Sequence, residues 1–133
     1  MNETATPFAE CANAAAIPCA EIPVLATEAW SRAIVAGVAE GRRVCALFGT
    51  AAAAPGTTRL HAVLADDRRH RLCMAATDIA GGAFDSLTPR CPQVHLFERE
   101  VAEQFGLHPL GHPWLKPVRG CRSWTGRDAW NRP

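Results

Sequence analysis

Tyrosine is absent from this 133-residue chain, which removes one common proton donor from any catalytic scheme. Cysteine occurs six times, but Cys11, Cys19, Cys45, Cys73, Cys91 and Cys121 are scattered without a Cys-x-x-Cys pair, so no set of thiolates suits an iron-sulfur cluster. Cys45 and Cys73 fall inside apolar, strand-like runs, where a free thiol behaves as a small hydrophobe, and all six are expected to be reduced and structural. Charge of either sign is not in excess. Fourteen Lys and Arg against thirteen Asp and Glu leave +1, which gives no electrostatic reason to expect nucleic acid or an anionic membrane as partner. No apolar run approaches the roughly 18 residues of a membrane span, and the N-terminus lacks the basic region and apolar core of a secretory signal. Also missing are a G-x-G-x-x-G turn after a strand, a Walker loop and a G-x-S-x-G elbow. These absences predict a cytoplasmic chain with no cofactor, no metal and no way of its own to bind a dinucleotide or move an electron.

The length suits one domain with a substantial core. Residues 1–26 are rich in Ala, Pro and Glu without a period, and read as an arm that is extended or disordered unless something docks it. Beyond them Trp30, Ala33, Ile34, Gly37 and Val38 recur at helical spacing, with Thr27 as N-cap and Gly41 past the end. Three strands follow. The run 43–49 is apolar on both faces and predicts a central strand, while 59–65 and 71–77 flank the polar turn 66–70 as a hairpin. Leu60, Ala62 and Leu64 can share one face, as can Leu72, Met74 and Ala76. A second helix opens near Pro92, buries Val94, Phe97, Val101 and Phe105, and stops at Gly106 as a left-handed cap. The expected fold is α+β in two layers: a small, mostly antiparallel sheet of three to four strands, helices on one face, and an extended proline-rich C-terminal tail. The division is an arm at 1–26, a domain at 27–119 and a tail at 120–133.

The second helix carries the residues that core packing does not require. At 100° per residue Glu98 lies beside the buried stripe, whereas Arg99, Glu100 and Glu103 point away from it. A carboxylate at the edge of a core needs a cationic or N–H partner, and Arg90, Arg119 and Arg122 are the cations available. A structural ion pair that pins the following segment is favoured over a general acid or base. Leu96, ringed by Arg99, Glu100 and Glu103, fits a protein contact with an apolar centre and a polar rim; the alternative is a solvated face with Arg99 pairing Glu103. His108 and His112 are four apart, but Pro109 and Gly111 exclude the regular helix that would aim both at one zinc ion. Gly111 is expected at positive φ or at a close backbone approach, and Pro113 stiffens the exit.

The run HLFEREVAEQFGLHPLGHPWLKPVR, starting at His95, resembles the signature of the 30 kDa subunit family of respiratory NADH:quinone oxidoreductase, roughly E-R-E-x-x-D-x-F-G-x-x-x-x-G-H-P-D-L followed by Arg or Lys. The preceding run Ser86-Leu87-Thr88-Pro89-Arg90-Cys91-Pro92 is more similar to the branch in energy-converting nickel-iron hydrogenase and formate hydrogenlyase complexes. The resemblance covers about 27–119. It implies an α+β accessory subunit without its own cofactor or catalytic residues, docked on the large (49 kDa-like or hydrogenase-type) subunit and beside an iron-sulfur subunit. Its location would be peripheral, on the cytoplasmic face of the inner membrane through its complex. Glu98, Arg99, Glu100, Phe105, Gly106, Gly111, His112 and Pro113 match the motif and are expected to order the segment lying along the partner.

The chain departs from the pattern at three places. Trp114 stands where the family usually has Asp, Glu103 replaces Asp, and residues 121–133 are a short substitute for a longer tail. The missing Asp removes any ion pair it would make and offers an aromatic anchor instead. The short tail favours a stand-alone hydrogenase-type subunit or a divergent relative. A reading from a different class, a small metal-binding protein or hydrolytic enzyme using Glu98, Glu103, His108 and His112, predicts stoichiometric metal.

Overall fold

The hairpin around the polar turn forms, and it is the centre of the sheet. Strand β4 (Thr58–Asp66) pairs antiparallel with β5 (Arg71–Ile79) from Thr58↔Ile79 to Asp66↔Arg71. In the computed structural model, which describes residues 6–130, the other elements in chain order are β1 (Ala9–Ala12), β2 (Val24–Leu25), α1 (Thr27–Ala39), β3 (Arg43–Ala51), β6 (Ala83–Asp85), α2 (His95–Phe105) and β7 (His108–Leu110). The architecture is α+β. The main sheet runs β1-β5-β4-β3, with β2 also on β5, and a separate two-stranded parallel sheet joins β6 to β7.

The sheet has five strands where three to four were expected, because two pieces of the 1–26 segment dock on the free edge of β5. β1 pairs antiparallel with residues Arg71 to Met74, and β2 pairs parallel with Ala76 and Thr77. No alternation in so short a pair of segments announces them. β3 is an edge strand and not the central one. Its apolar residues serve two surfaces: Leu47 is buried under the helices, while Phe48 is 44% exposed on the opposite face, stacked on His61 with ring centroids 5.0 Å apart. Cys45 sits at a register shift between Val44 and Ala46 and is exposed, contrary to its expected burial. A bulge turns its side chain out of the alternation that would have buried it.

Hairpin register fixes the pairing of faces that the sequence left open. Leu60, Ala62 and Leu64 lie opposite Thr77, Ala75 and Cys73 on the core side, and Leu72, Met74 and Ala76 share the other face. Trp30 and Ile34 of α1 and Val94 and Val101 near and in α2 cover that side with Leu47, Leu60, Leu64 and Cys73, all at most 2% exposed. The indole N–H of Trp30 donates to the carbonyl of Ala75 at 3.2 Å, which makes complete burial of that ring tolerable. Phe105 closes the core at β3: a Cβ on Gly49 would lie 2.8 Å from its ring.

β1 is held by charge as well as by its ladder. Arg69 in the hairpin turn donates to both oxygens of Glu10, at 3.1 and 2.7 Å, and the Arg69 bonds, then the nearby arginine charges, outweigh desolvation and hold this carboxyl below its usual 4.5. The contribution is therefore fully present above 4.5 and is lost as pH falls through the lower folded value. Glu10→Gln is expected to cost about 0.5–1 kcal/mol at neutral pH and to flatten the acid limb of the stability–pH curve. Chemical denaturation across that range measures it; an unchanged acid slope would refute the assignment.

Candidate docking edge

α2 is built on a proline start and a glycine stop. Pro92 opens a 3-10 turn, Pro92–Val94, that leads into the helix, and Gly106 ends it at φ 68°, its N–H donating to the Ala102 carbonyl at 3.2 Å. β7 and a strap of irregular chain follow, and the strap folds back across the helix. Gly111 makes that reversal at φ 79°, as its place between two His-Pro steps suggests.

Glu98 is completely buried. Its carboxylate accepts from the Ser86 hydroxyl at 2.5 Å, the Leu87 N–H at 2.6 Å and the Thr88 hydroxyl at 2.9 Å. The partner is thus of the N–H and O–H kind, and Arg90, Arg119 and Arg122 do not supply it. His112 lies next to it, Nε2 being 4.0 Å from the carboxylate. The Trp114 N–H donates to His112 Nδ1 at 3.0 Å, so Nε2 carries the proton and donates to the His95 carbonyl at 3.1 Å.

Glu103 is the main correction to the helical-wheel reading. The wheel puts it on the outward side, yet it is as buried as Glu98, and Arg99 is only 8% exposed. The strap covers them. Glu103 accepts the N–H groups of Val118 (2.9 Å), Arg119 (2.9 Å) and Gly120 (2.6 Å), three successive amides converging on one carboxylate. Arg99 does not pair with Glu103; its guanidinium donates to the carbonyls of Lys116 at 2.9 Å and Pro117 at 3.1 Å and lies 4.9 Å from the Trp114 ring, against which Lys116 also packs at 4.7 Å. Glu100 is half-buried and accepts from Arg119 at 2.8 Å.

The wheel missed a residue that the motif contains without emphasis. Gln104, 6% exposed, accepts the Trp124 N–H at 3.2 Å through its side chain, and its own carbonyl accepts from the Thr125 hydroxyl at 3.3 Å. Ala129 then donates to the Ala102 carbonyl at 3.1 Å. Several large apolar side chains remain outside among the exposed cations of the strap: Leu96 is 49% exposed, Leu110 and Trp114 55%, and Trp124 85%. The four residues of the metal or hydrolase reading do not converge. Glu98 and Glu103 are held by different segments, His112 is bonded to backbone at both nitrogens and His108 is exposed on β7. Among the described residues no group of three or more His, Cys, Asp or Glu is placed to hold a metal ion, and no helix is long and apolar enough to cross a membrane.

In this α+β domain one buried carboxylate of the last helix holds the segment before it and the other holds the strap after it, and the strap leaves aromatic side chains exposed. Residues 39–129 match the family described as respiratory-chain NADH dehydrogenase, 30 Kd subunit, and the chain belongs to that family, as a subunit of a respiratory-chain NADH dehydrogenase-like complex. No curated protein matches it. The family match runs past Arg119, where the resemblance read from the sequence stopped, to Ala129, so most of the tail lies within it.

The two buried carboxylates should respond differently to removal. Glu98→Ala leaves three donors inside the core and is expected to cost about 3–5 kcal/mol. Glu103→Ala frees amides that lie near solvent, so water replaces the carboxylate and the cost is about 1–2 kcal/mol. The strap, however, is released, and trypsin should cut faster after Arg119 and Arg122. Denaturation together with limited proteolysis separates the two; protection of both sites in the Glu103 variant would contradict the strap's dependence on it.

Proposed function

We propose that this chain is a non-catalytic docking and assembly subunit that lays α2 and its strap along the large subunit of the parent complex, next to an iron-sulfur subunit. The observation that carries this is how the charge on α2 is used. Glu98 and Glu103 are both fully buried and each binds three donors of its own chain. Those carboxylates therefore fix shape, while Leu96, Trp114 and Trp124 stay presented on a held backbone, the arrangement of an interface with aromatic anchors.

The Ser86 to Pro92 run, by its similarity to the hydrogenase and formate hydrogenlyase branch, supports a parent complex of that type. The complex would be peripheral on the cytoplasmic face of the inner membrane, and this chain would be attached only through its partners. The test is affinity capture of the large subunit by the full chain and by Leu96→Asp and Trp114→Ala. Each substitution is expected to weaken association roughly tenfold or more, with little change in stability because both side chains are half exposed. Unchanged capture by both variants would place the contact elsewhere, and the large subunit recovered reports which parent complex is served.

A further inference from the structure

The near-zero net charge conceals a division along the chain. Residues 111–133 hold five basic residues, Lys116, Arg119, Arg122, Arg127 and Arg132, against Asp128 alone, a net +4; residues 1–110 hold nine basic and twelve acidic residues, a net −3. In the strap Lys116, Arg119, Arg122 and Arg127 are all exposed. Arg119 is paired with Glu100, whereas no ion pair is formed by Lys116, Arg122 or Arg127 among the described residues. Glu103 is already enclosed by strap amides, and Glu100 is taken by Arg119.

Beside these cations lies a concavity of about 420 Å³ between α2 and the strap, walled by Glu100, Gln104, Arg119, Arg122 and Trp124. Its open side has Arg122 and an indole 85% exposed. The backbone bearing that indole is fixed, since the Trp124 N–H is bonded to Gln104. An exposed aromatic ring on an ordered backbone associates without a large ordering cost, and Arg122 beside it, with the other exposed cations of the strap, sets the sign of the surface that fits.

We infer that the strap's partner surface on the large subunit is acidic, with a carboxylate-bearing projection entering the concavity between Arg119 and Arg122 and an apolar pocket receiving Trp124. This rests on the docking reading and adds the chemistry of the contact to it. Charge complementarity makes association fast and salt-dependent, while the aromatic anchor sets its lifetime.

The experiment measures association and dissociation rates of the full chain with the purified large subunit while salt is varied. The association rate is expected to fall roughly tenfold to a hundredfold between about 0.05 and 0.5 M salt. Arg122→Glu and Lys116→Glu should slow association further at low salt and leave unfolding unchanged, and Trp124→Ala should speed dissociation roughly tenfold. Binding that ignores both salt and charge reversal overturns the acidic surface while leaving docking intact. Failure to bind at any salt overturns both readings. Tighter binding to a short single-stranded RNA than to the large subunit would also overturn it, because the strap's cations would then serve phosphates.

Discussion

The structure turns on two carboxylates taken out of water on one helix. A lone buried carboxylate is far too costly to keep, and α2 keeps two because each is met by three donors. The donors for Glu98 come from the segment before the helix, and those for Glu103 from the segment after it. Neither segment has regular structure of its own at those positions, so each takes its shape from the charge it surrounds. The parallel pairing of β6 with β7 follows from the same requirement, since it ties the chain entering Ser86 to the chain leaving Gly106.

Beside the Arg119–Glu100 ion pair, the strap is secured by polar side chains bonded to backbone. His112 is wedged between the His95 carbonyl and the Trp114 N–H, Arg99 reaches carbonyls at Lys116 and Pro117, and Gln104 takes both ends of the next turn through Trp124 and Thr125. All three are satisfied by the strap and the helix start. A segment stiffened by Pro113 and Pro117, with no ladder of its own, thus acquires one conformation, and its large side chains remain outside because no further core exists to receive them.

The sequence made the helices, the hairpin and the motif legible because each rests on a local period or a local stop. Trp30 and Ile34, Val94 and Val101, and Gly106 all stand where periodicity and capping put them. What it did not show depends on contacts between distant segments. β1 and β2 exist because β5 has a free edge, which no property of residues 9–12 or 24–25 announces. β3 looks central since both its faces are apolar, but only one is covered. The wheel sorts α2 into one inward and one outward side, whereas the returning strap gives this helix two buried sides and reverses the reading of Arg99 and Glu103.

The departure at Trp114 follows from the same geometry. Where the family pattern has Asp, a carboxylate would face the cations Arg99 and Lys116; here those two cations lie 4.9 and 4.7 Å from the indole ring instead. An exposed ion pair contributes about 0–1 kcal/mol and an exposed cation–π contact about 0.5–1 kcal/mol, so the exchange is nearly neutral for holding the strap. Its effect falls on the outer surface. Replacing the carboxylate by an indole removes a negative charge, so that residues 111–133 carry a net +4 where Asp would leave one unit less, and leaves more than half of an aromatic residue facing outward. The substitution therefore preserves the inward contact with the helix while making the outward face more basic and more apolar, and a partner suited to the family's Asp would have to change with it.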